Sequence, residues 1–216
     1  MKYKLIIFDI DGTITNHISS WRYIHEKLKL WSRRAFQYQD AFFAGKIEYR
    51  KFCSLDAAHW KGMREKRIRE LFKSTRYSRN AAKCIKKLKK LGFRLAAVST
   101  GLQFMSDRIK SELGFDYTIS NRLDSKNGIL TGGVTINLEH GAKDKILRHI
   151  FKLFKVKPHE TISVGDSEGD IPLAKICGFS IAFNSTSREL SKISDYDCKT
   201  KDFREVYEKI VSITHE

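Results

Sequence analysis

The chain is predicted to adopt a doubly wound α/β fold, a mostly parallel sheet flanked by helices, with a small helical segment inserted after the first strand and a projecting β-hairpin. Three observations predict it. Short runs rich in β-branched and aromatic residues alternate with stretches of helical period, which is the pattern of a parallel sheet with crossover helices. That alternation stops between 15 and 79, where the composition also changes. Several of the apolar runs end in acidic or small polar residues, which such a sheet presents to one crevice at the carboxyl ends of its strands. A length of 216 residues with 41% hydrophobic content suits one large domain, or a core domain with a smaller insert.

The first strand is "YKLIIFD" (3–9), apolar until it meets Asp9 and Asp11. The segment 15–79 follows. It holds all three tryptophans (Trp21, Trp31, Trp60) and 16 Lys+Arg against 6 Asp+Glu, so +10 of the net +16 lies in under a third of the chain. Helical spacing in "WRYIHEKLKLW" and "MREKRIRELF", without an alternating strand, predicts a helical insert placed to cap the crevice. The expected division is therefore 1–14 with 80–216 as the α/β core and 15–79 as the cap. In "NAAKCIKKLKKLG", Ala81, Ile85, Leu88 and Leu91 recur at spacings of three and four, and Gly92 stops the helix. A strand (93–99), a helix (102–114) and a strand (116–120) come next. In "DSKNGILTGGVTIN", Asn127-Gly128 and Gly132-Gly133 among β-branched residues predict a hairpin able to serve as a flap. A helix (142–154) and strands at 161–165 and 179–183 complete the alternation.

Composition narrows the function classes. No apolar run approaches the roughly 20 residues of a membrane span, and "MKYKLIIFD" reaches an acid too early for a secretory signal, so a cytoplasmic protein with no membrane partner is expected. Cys53, Cys84, Cys177 and Cys198 form no Cys-x-x-Cys pair and are expected to be reduced structural thiols. The basic insert raises nucleic acid as a partner. The helix "KGMREKRIRELFK" reads better as a solvated face, which leaves nucleic acid as an alternative whose binding would weaken steeply with salt. The seven histidines show no ligand spacing; His17 is the one placed to line a cap entrance.

Four fragments fall where the strands deliver their ends: Asp9 with Asp11, Ser99-Thr100-Gly101, Lys143 at a helix start, and "GDSEGD" (165–170) with Asp166 and Asp170. Carboxylates gathered from two loops repel unless a cation neutralises them. Mg²⁺ suits such a set, taking hard oxygen ligands together with water and a substrate phosphate. A hydroxyl, backbone N–H groups and a lysine beside it make an anion cradle, which Ser99, the Thr100 N–H and Lys143 supply. Ser99-Thr100 also reads as a helix N-cap. A carboxylate facing phosphorus can attack in line while a second acid protonates the leaving alkoxide and later activates water. Asp9 and Asp11 fit those parts, with raised pKa values expected among these acids.

"DIDGT", "VSTG", the isolated Lys143 and "GDSEGD", in this order and spacing, resemble the four motifs of the haloacid dehalogenase superfamily, nearest to its phosphoserine phosphatase-like branch. The resemblance covers about 1–14 and 80–216, with the insert matching in position and length. It implies a Rossmann-like core with a helical cap and a flap, and a phosphatase acting on a small phosphorylated substrate. Asp9 is implied as nucleophile, Asp11 as general acid/base, and Ser99, Thr100 and Lys143 on the phosphate. Mg²⁺ is implied to be held by Asp9, the Asp11 carbonyl and Asp166, with Asp170 supporting. Two positions depart from the branch. A glutamate nine residues past the nucleophile is replaced by Ile18, and an ungapped count from "GKIEY" puts Asp56 where the branch has a cap arginine, with Arg50 nearby as a substitute. The main expectation is therefore a Mg²⁺-dependent phosphomonoesterase of a small phosphorylated metabolite, the alternative being an authentic phosphoserine phosphatase with a rearranged grip on the amino acid. Trp21, Tyr49 and Trp60 are the other cap residues expected to face the substrate.

Overall fold

The computed structural model describes residues 2–17, 19–30 and 33–215, apart from the side chains of 33–35 and 215. Seven strands form one sheet: β1 (Leu5–Phe8), β2 (Arg94–Leu102), β3 (Tyr117–Lys126), β4 (Ile129–Thr135), β5 (Thr161–Gly165), β6 (Phe179–Phe183) and β7 (Tyr196–Cys198). Their order is β4-β3-β2-β1-β5-β6-β7, with every pairing parallel except β3 against β4. The sheet is thus mostly parallel and Rossmann-like, with β1 at its centre. Residues of β1 alternate between two apolar layers because successive strand side chains point to opposite faces. Ile6 and Phe8 join α5 (Ala81–Lys90) and α10 (Phe203–His215) in one cluster, whereas Leu5 and Ile7 pack with Leu147 and Ile150 of α7 (Leu147–Phe154) in the other.

Between β1 and α5 lie four helices, α1 (Ser20–Lys27), α2 (Arg33–Phe43), α3 (Tyr49–Ala58) and α4 (Glu65–Lys73). The two chain segments entering and leaving this region are tied together, since the Asn16 N–H donates to the Arg76 carbonyl (3.2 Å) and the Ser78 N–H to the Ile14 carbonyl (2.8 Å). Trp21, Ile24, Cys53, Trp60, Ile68 and Phe72 continue the same apolar cluster that covers one face of the sheet. The hairpin turns at Asn127 (φ 52°) and Gly128 (φ 74°), two left-handed residues as a tight two-residue turn requires. It is bonded to the inserted helices: the Gly62 N–H donates to Leu130 O and the Leu130 N–H to Met63 O, both at 2.8 Å.

Several boundaries differ from the sequence expectation. Strand β2 runs on through Ser99-Thr100-Gly101 to Leu102, so the N-cap of α6 (Gln103–Leu113) is Leu102 and Ser99 caps nothing. Lys143 opens a 3-10 turn (Lys143–Ile146) before α7, not a regular helix. On α5 the buried face is Ala81, Cys84, Ile85 and Leu88, while Leu91 is exposed at the C-terminus ahead of Gly92 (φ 94°). β7, three residues long, is too short for its period to show in the sequence.

Candidate active site

At the carboxyl end of the sheet, Asp9 arrives from β1, Ser99 from β2, Lys143 from its 3-10 turn, and Asp166 and Asp170 from the loop after β5; all are buried. Lys143 Nζ donates to Asp9 Oδ1 (2.5 Å) and to Asp170 Oδ1 (2.6 Å). The other Asp170 oxygen accepts from the backbone N–H of Asp166 (3.0 Å) and Ser167 (3.1 Å), so this carboxylate shapes the loop and anchors the lysine. Thr13 donates its hydroxyl to Asp166 Oδ1 (2.8 Å). Two glycines make the crowding possible. A Cβ at Gly12 (φ 85°) would stand 2.3 Å from Asp166 Oδ2, and one at Gly101 would stand 2.5 Å from Asp11 Oδ2.

Asp11 is separated from Asp9 in environment. The Ser20 N–H at the start of α1 donates to its Oδ2 (2.7 Å), and His17 Nε2 lies 2.9 Å from its Oδ1. Burial raises the Asp9 pKa well above the carboxylate range, with Asp170 and Asp166 pushing the same way and Lys143 opposing. Burial and the Asp170 charge push Asp166 up to about 7. Asp11 departs from the expected elevation: burial would raise it, but His17 and the bonds from Ser20 outweigh burial and its pKa is lowered.

One carboxylate oxygen from each of Asp9, Asp166 and Asp170 lies within 4.8 Å of the others, and the Lys143 ammonium pairs with Asp9 and Asp170 but not with Asp166. Raised pKa values at Asp9 and Asp166 are the signature of negative charge short of a partner, so a divalent cation with a preference for oxygen fits this donor set.

Above the acids is a cavity of about 330 Å³, bounded by the core loops on one side and α1, α2 and α3 on the other. Of the expected cap residues, Trp21 and Tyr49 line it. Trp21 Nε1 and Tyr49 Oη both donate to the Thr100 carbonyl (3.1 and 3.0 Å), and Asn121 Nδ2 makes a third bond there (3.0 Å). The other three do not reach the cavity. Trp60 is buried behind Trp21 and stacked on it (5.8 Å between centroids), Arg50 is exposed and paired with Glu139 (2.6 Å), and Asp56 is buried with its Oδ1 3.2 Å from His25 Nε2. Ile18 lies outside the described residues. His17, expected at a cap entrance, sits against Asp11 with its ring tilted against that of Tyr23 (5.1 Å, 32°). Sequence reasoning missed Thr13, Ser20 and Asn121, whose types are common in loops, and the cavity residues Phe42, Phe52, His140 and Glu168.

Such a site, with buried acids and an anion-holding lysine at the strand ends of a doubly wound sheet, defines a hydrolase of phosphate esters. The chain belongs to the haloacid dehalogenase-like hydrolase family, whose description matches residues 6–175, and it is a phosphatase. It is 31% identical over 215 residues to phosphoserine phosphatase of Methanocaldococcus jannaschii, covering 97% of this chain and 98% of that one. It is 30% identical to phosphoserine phosphatase of Albidiferax ferrireducens, over 89% of this chain and 84% of the relative. A solved phospho-aspartyl intermediate analogue of phosphoserine phosphatase superposes with a TM-score of 0.82 at 30% identity, over 97% and 99% of the two chains. A substrate-bound phosphoserine phosphatase gives 0.83 at 29%, over the same shares. Among the described residues no helix is long and apolar enough to cross a membrane.

Proposed function

We propose that Asp9 is the nucleophile of a phosphomonoesterase and that phosphoserine is among its substrates, with α1–α4 serving as the cap over the reaction. One Asp9 oxygen is held by Lys143, which leaves the other to attack phosphorus in line with the departing alcohol. Asp11 gives its proton to the leaving oxygen, so the ester P–O bond breaks as the acyl phosphate forms. In the second half Asp11 takes a proton from water, and the hydroxide attacks the phosphorus and frees Asp9. The lowered pKa of Asp11 favours the anion that this second half requires and opposes the protonated form that the first half requires, so Asp11 must take up its proton as the phosphate dianion binds beside it. Mg²⁺, held by Asp9, the Asp11 carbonyl and Asp166 with Asp170 in support, would supply charge neutralisation of the phosphate oxygens. Ser99, the Thr100 N–H and Lys143 hold those oxygens in place.

The observation that carries the mechanism is the division of labour between two acids one residue apart, Asp9 tied to Lys143 and Asp11 tied to Ser20 and His17. The substrate reading is supported by the relatives' names, at 30–31% identity over most of the chain, and this favours the phosphoserine alternative over an unrelated small phosphate. Asp9→Asn is the test. Phosphate release from both phosphoserine and p-nitrophenyl phosphate should fall by at least about 10³-fold, roughly 4 kcal/mol of barrier, with the fold retained by circular dichroism. Retained turnover of p-nitrophenyl phosphate would refute the nucleophile assignment, and failure of the native enzyme on phosphoserine alone would refute the substrate.

A further inference from the structure

The half of the cavity that receives the leaving group carries rings in place of a charge clamp. Phe42 stacks on Phe52 (5.3 Å, 10°), lies 5.6 Å from Tyr49 and meets His140 edge-on at 5.4 Å. Trp21 stands on the same wall. The polar atoms of Trp21 and Tyr49 are already bonded to the Thr100 carbonyl, so these residues offer a substrate their carbon surfaces. No arginine lines the cavity among the described residues, and its one lysine, Lys143, is bonded to Asp9 and Asp170. Burial and the Lys143 charge lower the pKa of His140 and favour its neutral form. The charged side chain at the mouth is an acid, the exposed Glu168.

A carboxylate on the leaving group would lose water here and meet, among the described lining residues, no cation but Lys143, which Asp9 and Asp170 already hold. An ammonium meets the opposite conditions, since ring faces attract cations and the Glu168 carboxylate lines the same cavity from the core loop after β5. We propose that this cavity grips the ammonium of an amino-alcohol phosphate and gives no grip to a carboxylate, so that phosphoethanolamine is hydrolysed alongside phosphoserine. The inference rests on the phosphatase reading above. Atoms balance as in any such hydrolysis: the bond from phosphorus to the ethanolamine oxygen breaks, and water supplies the hydroxyl to phosphorus and the proton to the alcohol.

The test compares kcat/KM for phosphoethanolamine, phosphoserine and phosphoglycolate, with p-nitrophenyl phosphate as the activity control. Phosphoethanolamine should equal or exceed phosphoserine, or fall short by less than tenfold, and phosphoglycolate should be the poorest of the three. A tenfold or greater preference for phosphoserine overturns the inference while leaving the phosphoserine reading intact. Turnover of phosphoethanolamine without phosphoserine does the reverse, and turnover of p-nitrophenyl phosphate alone overturns both. Glu168→Gln supplies an independent readout: KM for phosphoethanolamine should rise about fivefold while that for phosphoglycolate stays level or falls. An equal change, or none, in the two values overturns the ammonium assignment.

Discussion

Replacing Lys143 with methionine keeps much of the side chain's length and removes the one basic side chain paired with Asp9 among the described residues. The ammonium is buried, 2.5 Å from Asp9 and 2.6 Å from Asp170, with all three side chains at most 6% exposed. Taking one partner from a buried ion pair costs roughly 3–5 kcal/mol, because the remaining charge is left desolvated. The acids can relieve that cost by taking up protons, so the loss depends on pH. A carboxyl whose pKa is raised in the folded state favours folding when protonated, and that contribution is lost as pH rises through the folded value. Removing Lys143 raises Asp9 further, since the lysine is what opposes burial there. The variant's deficit must therefore grow with pH. Urea unfolding without Mg²⁺, followed by far-UV circular dichroism, should give a loss of about 3–5 kcal/mol at pH 8. At pH 5 the loss should be smaller by about 1.4 kcal/mol for each unit of added elevation that protonation relieves. A loss below about 1 kcal/mol at pH 8, or the same loss at both values, would refute the view that this lysine holds the acid cluster together.

Three further outcomes follow from the same geometry. Asp166, pushed up to about 7, holds a proton that cation binding must displace. Mg²⁺ affinity should then rise as pH increases through about 7, and calorimetric titration at pH 6 in buffers of different ionisation enthalpy should show proton release; the same apparent enthalpy in both buffers would count against it. Gly12→Ala places a methyl 2.3 Å from Asp166 Oδ2 on a left-handed residue, and should lower stability by about 1–3 kcal/mol and weaken Mg²⁺ binding, as thermal melts with and without the metal would reveal. Asp56→Ala breaks a buried pair with His25, and should cost about 3 kcal/mol in urea unfolding with the KM for phosphoserine changed less than about twofold; a large KM rise with unchanged stability would make Asp56 a substrate contact.

The sheet and the acid positions were legible because they depend on short-range pattern. An apolar run that ends in Asp9-x-Asp11 needs only its own residues to become a strand and a loop, and order along the chain then brings Lys143, Asp166 and Asp170 to the same edge. The inserted helices were legible as helices but not in rotation. Adjacent residues on a helix point about 100° apart, so Tyr49 lines the cavity while Arg50 swings to solvent and Glu139. Asp56, two turns beyond Tyr49 on the same face, lies about 10 Å further along the axis and is buried against His25. An ungapped count, which places Asp56 with Arg50 as its nearby substitute, carries neither the phase nor the axial distance, and the choice of Trp60 among the aromatics has no phase to guide it; the structure has Phe42, Phe52 and His140 at the cavity instead.

The Thr100 carbonyl shows how the inserted helices and the core become one device. It accepts from Trp21 on α1, Tyr49 on α3 and Asn121 on β3, and the next peptide N–H, that of Gly101, donates to Ser99 Oγ (3.0 Å). Asn121 also donates to Tyr49 Oη (3.0 Å) and to the Leu138 carbonyl (3.1 Å), so the β3 strand joins the same network. Ordering the loop proposed to hold phosphate oxygens is thus tied to seating α1 and α3 over it. If α1–α4 move aside to admit substrate, two of the three donors leave that carbonyl and the loop loses part of its definition. Their return would restore the proposed anion site and the ring-lined wall together, which would couple closure of the cavity to readiness for the chemistry beneath it.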